Sequence, residues 1–246
     1  MAERIMDLIK LSEKDVFQSL KILLSPILNI IVDIKHEGVE NIPPKGGRII
    51  IGNHRSDMDP FIVASVVPYY ISWIAAEYTK KIPVFDALIQ NTGVIPMDIN
   101  GNISISSIKR VMTVLRKGEV LGIFPEGHDY MVQNDFSAPM VRFHDGFAVF
   151  AYKARVPIIP FVIIPIEEEI TSIPLPPAIR QMMGLPEEIV RLPLRTQYKK
   201  VKVVFSKPIM PEEFLHQEEE KAIPYIVDRS REIMENIQRK EGMLAS

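Results

Sequence analysis

The chain contains no cysteine, which removes disulfide frameworks, thiolate-ligated zinc, iron-sulfur clusters and any cysteine nucleophile together. Net charge is almost absent as well: 29 Lys and Arg stand against 31 Asp and Glu, a formal −2 over 246 residues. Nucleic-acid binding needs a clustered surplus of cations to displace counterions, so no nucleic-acid partner is expected. Histidine is scarce, occurring only at positions 36, 54, 128, 144 and 216, and any histidine-dependent reaction has few candidates. A long uninterrupted apolar run is missing too. The most apolar stretch, residues 16–34, is broken by Lys21, Asn29 and Asp33, whereas a spanning helix needs about 20 predominantly apolar residues. No small-residue cleavage site follows it, as a secretory signal would require. What is present in slight excess is apolarity itself. The mean hydropathy is +0.09 in a chain with 24% charged residues, which points to apolar surface with a use beyond the core.

Within that apolar stretch and its flanks, Lys14, Gln18, Lys21, Ser25, Asn29 and Asp33 recur every three or four positions. They draw one narrow polar stripe along a helix. Two helices are expected, over 2–12 and 15–33, with a break or kink at Pro26. Together they form an N-terminal motif, residues 1–34, ahead of an α/β domain over 35–246. Two readings leave the same periodicity: helices lying in a membrane interface with their apolar faces down, and a helical layer packed on the domain's own sheet.

Beyond residue 35 the chain alternates short β-rich runs with helical patterns, the sign of a layered α/β fold. Strands are expected at Arg48–Gly52, Ile71–Ala76, Gly93–Met97, Val120–Phe124, Pro157–Ile164 and Val201–Phe205. A helix fits Ile103–Lys117, with an apolar face made by Ile108, Val111, Met112 and Leu115 and a closing Gly118. Another follows Asp59-Pro60, and a charged surface helix covers Ile223–Lys240. Thr171–Arg195 carries prolines 174, 176, 177, 186 and 193 among apolar residues. It is expected to lack regular structure while covering something apolar.

Two loops carry chemistry. The strand RIIIG runs straight into NHRSDMDP, so His54 stands at the carboxyl end of a strand, where α/β folds bind ligands. Asp59 lies five residues on, before Pro60. A carboxylate folded back from the helix start accepts the Nδ1 proton and leaves Nε2 as a general base. Asp57 is an alternative partner, and Asp59-Pro60 is equally a helix cap followed by a first-turn proline. The second loop follows VLGIF: FPEGHDY puts Glu126 and Gly127 at another strand-to-loop junction. A rigid turn there offers backbone N–H groups and one acceptor suited to a substrate hydroxyl.

In these residues the chain resembles the PlsC-type glycerolipid acyltransferases, whose bacterial members include 1-acyl-sn-glycerol-3-phosphate acyltransferase. Asn53, His54, Ser56 and Asp59 match the family's N-H-x-S-x-x-D string, Phe124, Pro125, Glu126 and Gly127 its F-P-E-G, and Val156 to Pro160 its V-P-I-[IV]-P strand. Residues Gly93–Gly101 match the remaining motif in shape. The resemblance covers Gly38–Pro208. It implies a mixed sheet flanked by helices, as in glycerol-3-phosphate acyltransferase, behind an N-terminal two-helix membrane-associating motif. It also implies transfer of an acyl group from acyl carrier protein or coenzyme A thioester to the sn-2 hydroxyl of lysophosphatidic acid at the cytoplasmic face of a cell membrane. His54 would then be the base, Asp59 its partner, and Glu126 and Gly127 the holders of the acceptor; no cofactor or metal is called for. Three positions where the family has a cation for substrate phosphate differ here. No Arg or Lys stands in Gly93–Gly101, Asp129 follows the second loop, and His144-Asp145 precede Gly146. Lys80, Lys109, Arg142 and Arg155 are the replacement candidates, with Lys81 and Arg110 beside two of them.

Two rival classes remain. One takes His54, Asp59, Glu126, His128 and Asp129 as ligands of a metal-dependent phosphoester hydrolase, without any compact ligand motif. The other is a lipid-binding protein that has lost catalysis along with the missing cations.

Overall fold

The computed structural model describes residues 12–76, 91–97, 104–127, 140, 142–174, 176–183 and 191–244. Seven strands form one sheet: β1 (Asp33–Glu37), β2 (Arg48–Gly52), β3 (Ile71–Ala76), β4 (Ile95–Met97), β5 (Val120–Ile123), β6 (Ile158–Pro174) and β7 (Arg191–Phe205). Their order is β1-β7-β6-β2-β5-β3-β4, parallel at every pairing except the antiparallel β6/β7.

Alternation along the central strands feeds two separate cores, as the pleat requires. Ile49 and Ile51 of β2, Leu121 and Ile123 of β5, and Ile158, Val162 and Ile164 of β6 face one side. There they meet α3 (Ile105–Arg116), α4 (Gly146–Ala154) and α6 (Glu219–Lys240). Ile50, Val120, Ile159, Phe161 and Ile163 face the other, under α1 (Glu13–Ile31) and α2 (Asp59–Val66). Every residue of β2 is buried, so the strand that leads to His54 is clamped on both faces.

Two glycines in these strands make room for aromatic rings. Gly52 stands opposite Phe161, and a Cβ there would come within 2.1 Å of the ring; Gly122 stands opposite Trp73, where the gap would be 2.4 Å. The rings therefore lie across their partner strands and crowd toward the carboxyl ends of β2 and β5.

The short expected strands are found within a residue or two of their bounds, but the sheet holds more than the sequence suggests. β6 and β7 run far past Ile164 and Val201 and, beyond the Asp33↔Lys200 pair with β1, pair only with each other. Within the stretch expected to be irregular lie the end of that hairpin and α5 (Pro177–Met183), with Pro177 tolerable because it occupies the first helical position. β1 was not expected because DIKHE is polar. It sits at the sheet edge, paired to β7 alone, where a polar strand is at home. α4 is the converse case: GFAVFAYKA buries Phe147, Ala148, Phe150 and Ala151 and shows no one-sided stripe to read. α1 continues through Pro26 without the expected break.

α1 is seated with the middle of its polar stripe inward, while Lys14 and Asn29 stay exposed. Phe17 and Leu28 are buried, Gln18 and Ser25 half-buried, and the Lys21 ammonium donates to the Val67 carbonyl. The aliphatic residues face out: Ile22 is 73% and Ile30 86% exposed, beside Leu23, Ile27 and Ile31. The helix thus packs on α2 and β1 and still presents an apolar face. No helix among the described residues is long and apolar enough to cross a membrane. The helix expected over 2–12 lies outside the described residues.

Candidate active site

β2 ends at Gly52, and the next residue continues its ladder with a side chain. Asn53 Nδ2 donates to the Ile163 carbonyl at 3.0 Å, and Ile163 N–H donates to Asn53 Oδ1 at 2.7 Å. The buried amide imitates one more strand residue and launches residues 54–58 out of the sheet in a fixed direction.

His54 Nδ1 lies 2.8 Å from Asp59 Oδ2, and the aspartate has no exposure. The competing reading of Asp59 as a cap is resolved by its geometry. Met58 precedes the helix and makes no side-chain cap, while Asp59 occupies the first helical position and its carboxylate points back to the loop. Oδ2 accepts from the N–H groups of Arg55 at 2.6 Å and Ser56 at 2.8 Å, so the loop wraps the carboxylate that orients its own histidine. Asp57, the alternative, is exposed.

The second loop meets the first through Glu126. Its side chain is buried and Oε1 accepts from His54 N–H at 3.0 Å. Phe124 N-terminal to it stacks on the imidazole, centroids 4.3 Å apart and planes within 17°, and on its other side stacks on Trp73 at 5.0 Å and 3°. Imidazole, phenyl and indole form one pile, a restraint on ring orientation that adds to the carboxylate bond. Gly127 has φ +61°, a left-handed value that favours glycine, and a Cβ there would lie 3.2 Å from the His144 ring. The imidazole of His144 therefore borders the same turn.

Of the residues expected in the site, His54, Asp59, Glu126 and Gly127 converge. Arg142 is exposed two positions before His144. Lys109 is exposed on α3. Arg155 is exposed ahead of β6, and the register Ile49↔Ile158 puts it at the amino ends of the strands, whereas His54 follows their carboxyl ends. Four residues of β2 separate the two levels, about 13 Å at the strand rise. Lys80, Lys81, His128 and Asp129 lie outside the described residues. Among the described residues no three His, Asp or Glu side chains gather as metal ligands.

Three neighbours had no signal in the sequence. Arg55 Nη2 donates to Glu168 Oε1 at 2.7 Å, and Tyr198 O–H donates to Asp59 Oδ1 at 2.7 Å. Burial raises the Glu168 carboxyl above its ordinary value, against the opposing pull of Arg55. Burial, and then the Asp59 charge, pushes the Tyr198 phenol well above its own. Both contacts span more than a hundred residues and belong to no local motif.

The sequence profile of the acyltransferase family matches residues 33–164. Three curated relatives are each described as a 1-acyl-sn-glycerol-3-phosphate acyltransferase. The protein of Borreliella burgdorferi is 37% identical over 93 residues, 37% of this chain and 36% of its own. That of Bacillus subtilis is 26% identical over 138 residues, 56% of this chain and 65% of its own. That of Helicobacter pylori is 29% identical over 120 residues, 48% and 49%. In each case the chain spans less than two thirds of the relative. The crystal structure of the 1-acyl-sn-glycerophosphate acyltransferase PlsC from Thermotoga maritima superposes with a TM-score of 0.58 at 21% identity, over 91% of this chain and 81% of that one. The two share a fold.

Proposed function

The chain belongs to the acyltransferase family, and from that premise we propose that it acylates the sn-2 hydroxyl of 1-acyl-sn-glycerol-3-phosphate, giving phosphatidic acid. The observation that carries the reading is the His54–Asp59 pair at 2.8 Å, displayed at the carboxyl end of β2 beside the Glu126-Gly127 turn. With the Nδ1 proton directed to Asp59, Nε2 takes the proton of the acceptor hydroxyl as its oxygen attacks the carbonyl carbon of an acyl thioester. The tetrahedral intermediate collapses with loss of the thiolate, which receives the proton back from the imidazolium. Asp59 stabilises that cation while it exists. Direct transfer needs no enzyme nucleophile, in keeping with a chain that has no cysteine. Glu126 and Gly127 hold the acceptor's glycerol portion, and Arg142, exposed two positions before the His144 that borders the Gly127 turn, reaches its phosphate. The donor is an acyl carrier protein or coenzyme A thioester.

The test is an acceptor panel. Purified full-length protein with both donor types is expected to form phosphatidic acid from lysophosphatidic acid. Its turnover of lysophosphatidylcholine and monoacylglycerol should be at least about tenfold slower, the discrimination expected when one charge-assisted phosphate contact is lost. Preference for the zwitterionic or neutral acceptor removes the substrate assignment. Activity lost on thorough chelation would favour the hydrolase alternative instead.

The site's substrates are amphiphiles, and residues 1–34 are proposed to hold it at a membrane surface on the cytoplasmic face. Support comes from α1, which half-buries Gln18, Lys21 and Ser25 against the protein while Ile22, Leu23, Ile27, Ile30 and Ile31 face outward, more apolar surface than a helix serving only as a soluble layer would expose. Replacing Ile27 and Ile30 together by aspartate is expected to abolish co-sedimentation with anionic phosphatidylglycerol vesicles and leave the circular dichroism melt unchanged. Retained sedimentation counts against α1 as the anchor.

A further inference from the structure

The two oxygens of Asp59 are used differently. Oδ2 takes three donors from its own loop, His54 Nδ1 and the N–H groups of Arg55 and Ser56. Oδ1 is served from far away, by the Tyr198 hydroxyl 139 residues on. Both residues are buried.

How Tyr198 reaches that oxygen is a matter of register. On β7, Val201 and Val203 face the core under α2, and strict alternation would point residue 198 to the opposite face. The pairing slips twice just there. Between Pro165↔Val201 and Glu167↔Lys200 β6 carries an extra residue, Ile166; between Glu167↔Lys200 and Glu168↔Tyr198 β7 carries one, Lys199. The two bulges turn Glu168 and Tyr198, now directly opposite each other, onto the face that carries Ile163 and Val201. Bulges re-aim side chains in this way. One member of the pair accepts from Arg55 and the other donates to Asp59, so the bulged hairpin grips the loop 54–59 from behind at two points.

We propose that Tyr198 is a positioning residue for the His54–Asp59 pair: its O–H fixes the carboxylate plane through Oδ1 and draws off part of its charge, so that Oδ2 meets the imidazole in one orientation and at moderated strength. The phenol is a donor throughout the working pH range, since its surroundings keep it protonated. The other ionisable groups facing the pair, among the described residues, are Arg55 on its own loop, Glu126 after β5, Glu168 on β6 and His144 beside Gly127.

The kinetic half of this inference rests on the acyl-transfer reading; the electrostatic half does not. In full-length Tyr198→Phe the ring stays and the bond to Oδ1 goes. Asp59, still held at Oδ2 by two backbone N–H groups, carries its charge less shared, and a stronger anion beside an imidazole favours the imidazolium. The His54 ring, followed by NMR and assigned by difference from His54→Gln, should keep its proton to higher pH than in the unsubstituted protein. The acid limb of kcat/KM should move the same way, and kcat should fall about tenfold with both KM values within about twofold, the pattern of an interaction felt in the transition state. Replacing Tyr198 by 3-fluorotyrosine, a stronger donor, should move the His54 titration downward, and this second variant decides the matter if phenylalanine impairs folding. Titration and acid limb unmoved in both variants overturn the proposal. His54→Ala with undiminished activity would instead overturn the base reading, while the NMR arm still decides on Tyr198.

Discussion

His54→Ala is expected to lower kcat for acyl transfer by about 10³-fold, within the 10²- to 10⁴-fold span of general-base assistance. A hydroxyl attacking a thioester must lose its proton near the transition state, and His54 Nε2 is the group placed to take it. KM for the acceptor should change little, because the proton is claimed in the transition state and not in the ground state. The fold should survive. The imidazole side chain is 16% exposed, and Asp59 keeps three donors without it, from Arg55, Ser56 and Tyr198. Trp73 supplies an internal check. It is the chain's one tryptophan and it stacks on Phe124, which stacks on His54. A fluorescence change confined to a small shift would report loss of the outer ring of the pile with the inner pair intact. A variant with undisturbed Trp73 emission and full activity would remove His54 from the reaction.

The parts of this site that were legible in the sequence share a physical property: each is fixed within a few residues of a strand whose position is dictated by burial. RIIIG and VLGIF are apolar on both faces, which only a central parallel strand tolerates, and the loops after them inherit their location. The His54–Asp59 contact follows from a five-residue span turning into a helix. Tyr198, Glu168 and Arg55 were illegible for the opposite reason. Their meeting depends on two bulges that leave no local signature. The run Glu167-Glu168-Glu169 breaks the alternation that would otherwise have extended β6, so the hairpin that carries them was missed with them. Charge there reflects pairing outside the main sheet, where one face of the two-stranded ribbon exposes Glu167 and Glu169 while the other buries Tyr198. The N-terminal helix was half legible. Periodicity drew its polar stripe correctly, yet a period cannot say which side meets the protein, and the seating of Gln18, Lys21 and Ser25 inward was the structure's to reveal. Arg155 belongs with these cases: proximity in sequence to a motif strand says nothing about which end of that strand faces the crevice.

Asp59→Asn and Asp59→Ala are expected to separate what the carboxylate does for the fold from what it does for the reaction. In the asparagine variant the amide oxygen can take the place of Oδ2 and accept from Arg55 N–H, Ser56 N–H and His54 Nδ1. The amide nitrogen then faces the Tyr198 oxygen, and a phenol, which is donor and acceptor alike, can turn to accept from it. The two backbone N–H groups and His54 keep their acceptor, while the phenol proton loses its own, so the thermal midpoint should fall, but by less than in the alanine variant. Alanine offers no such exchange. It leaves two backbone N–H groups and the phenol without their acceptor at a site closed to water, at about 1–3 kcal/mol for each group left unsatisfied, and the midpoint should drop well below that of the asparagine variant. Catalysis should fail in both. Without a counter-charge the imidazolium formed as the hydroxyl is deprotonated is no longer stabilised, and kcat should fall by about 10² to 10⁴. The sign of the accompanying titration is fixed by the same argument: removing the anion favours neutral imidazole, so His54 should titrate lower in Asp59→Asn, opposite to the upward movement expected of Tyr198→Phe. Kinetics, thermal unfolding and the NMR titration on these two variants check each step. An asparagine variant that folds normally and retains near-native kcat would leave Asp59 a structural anchor of the loop and nothing more.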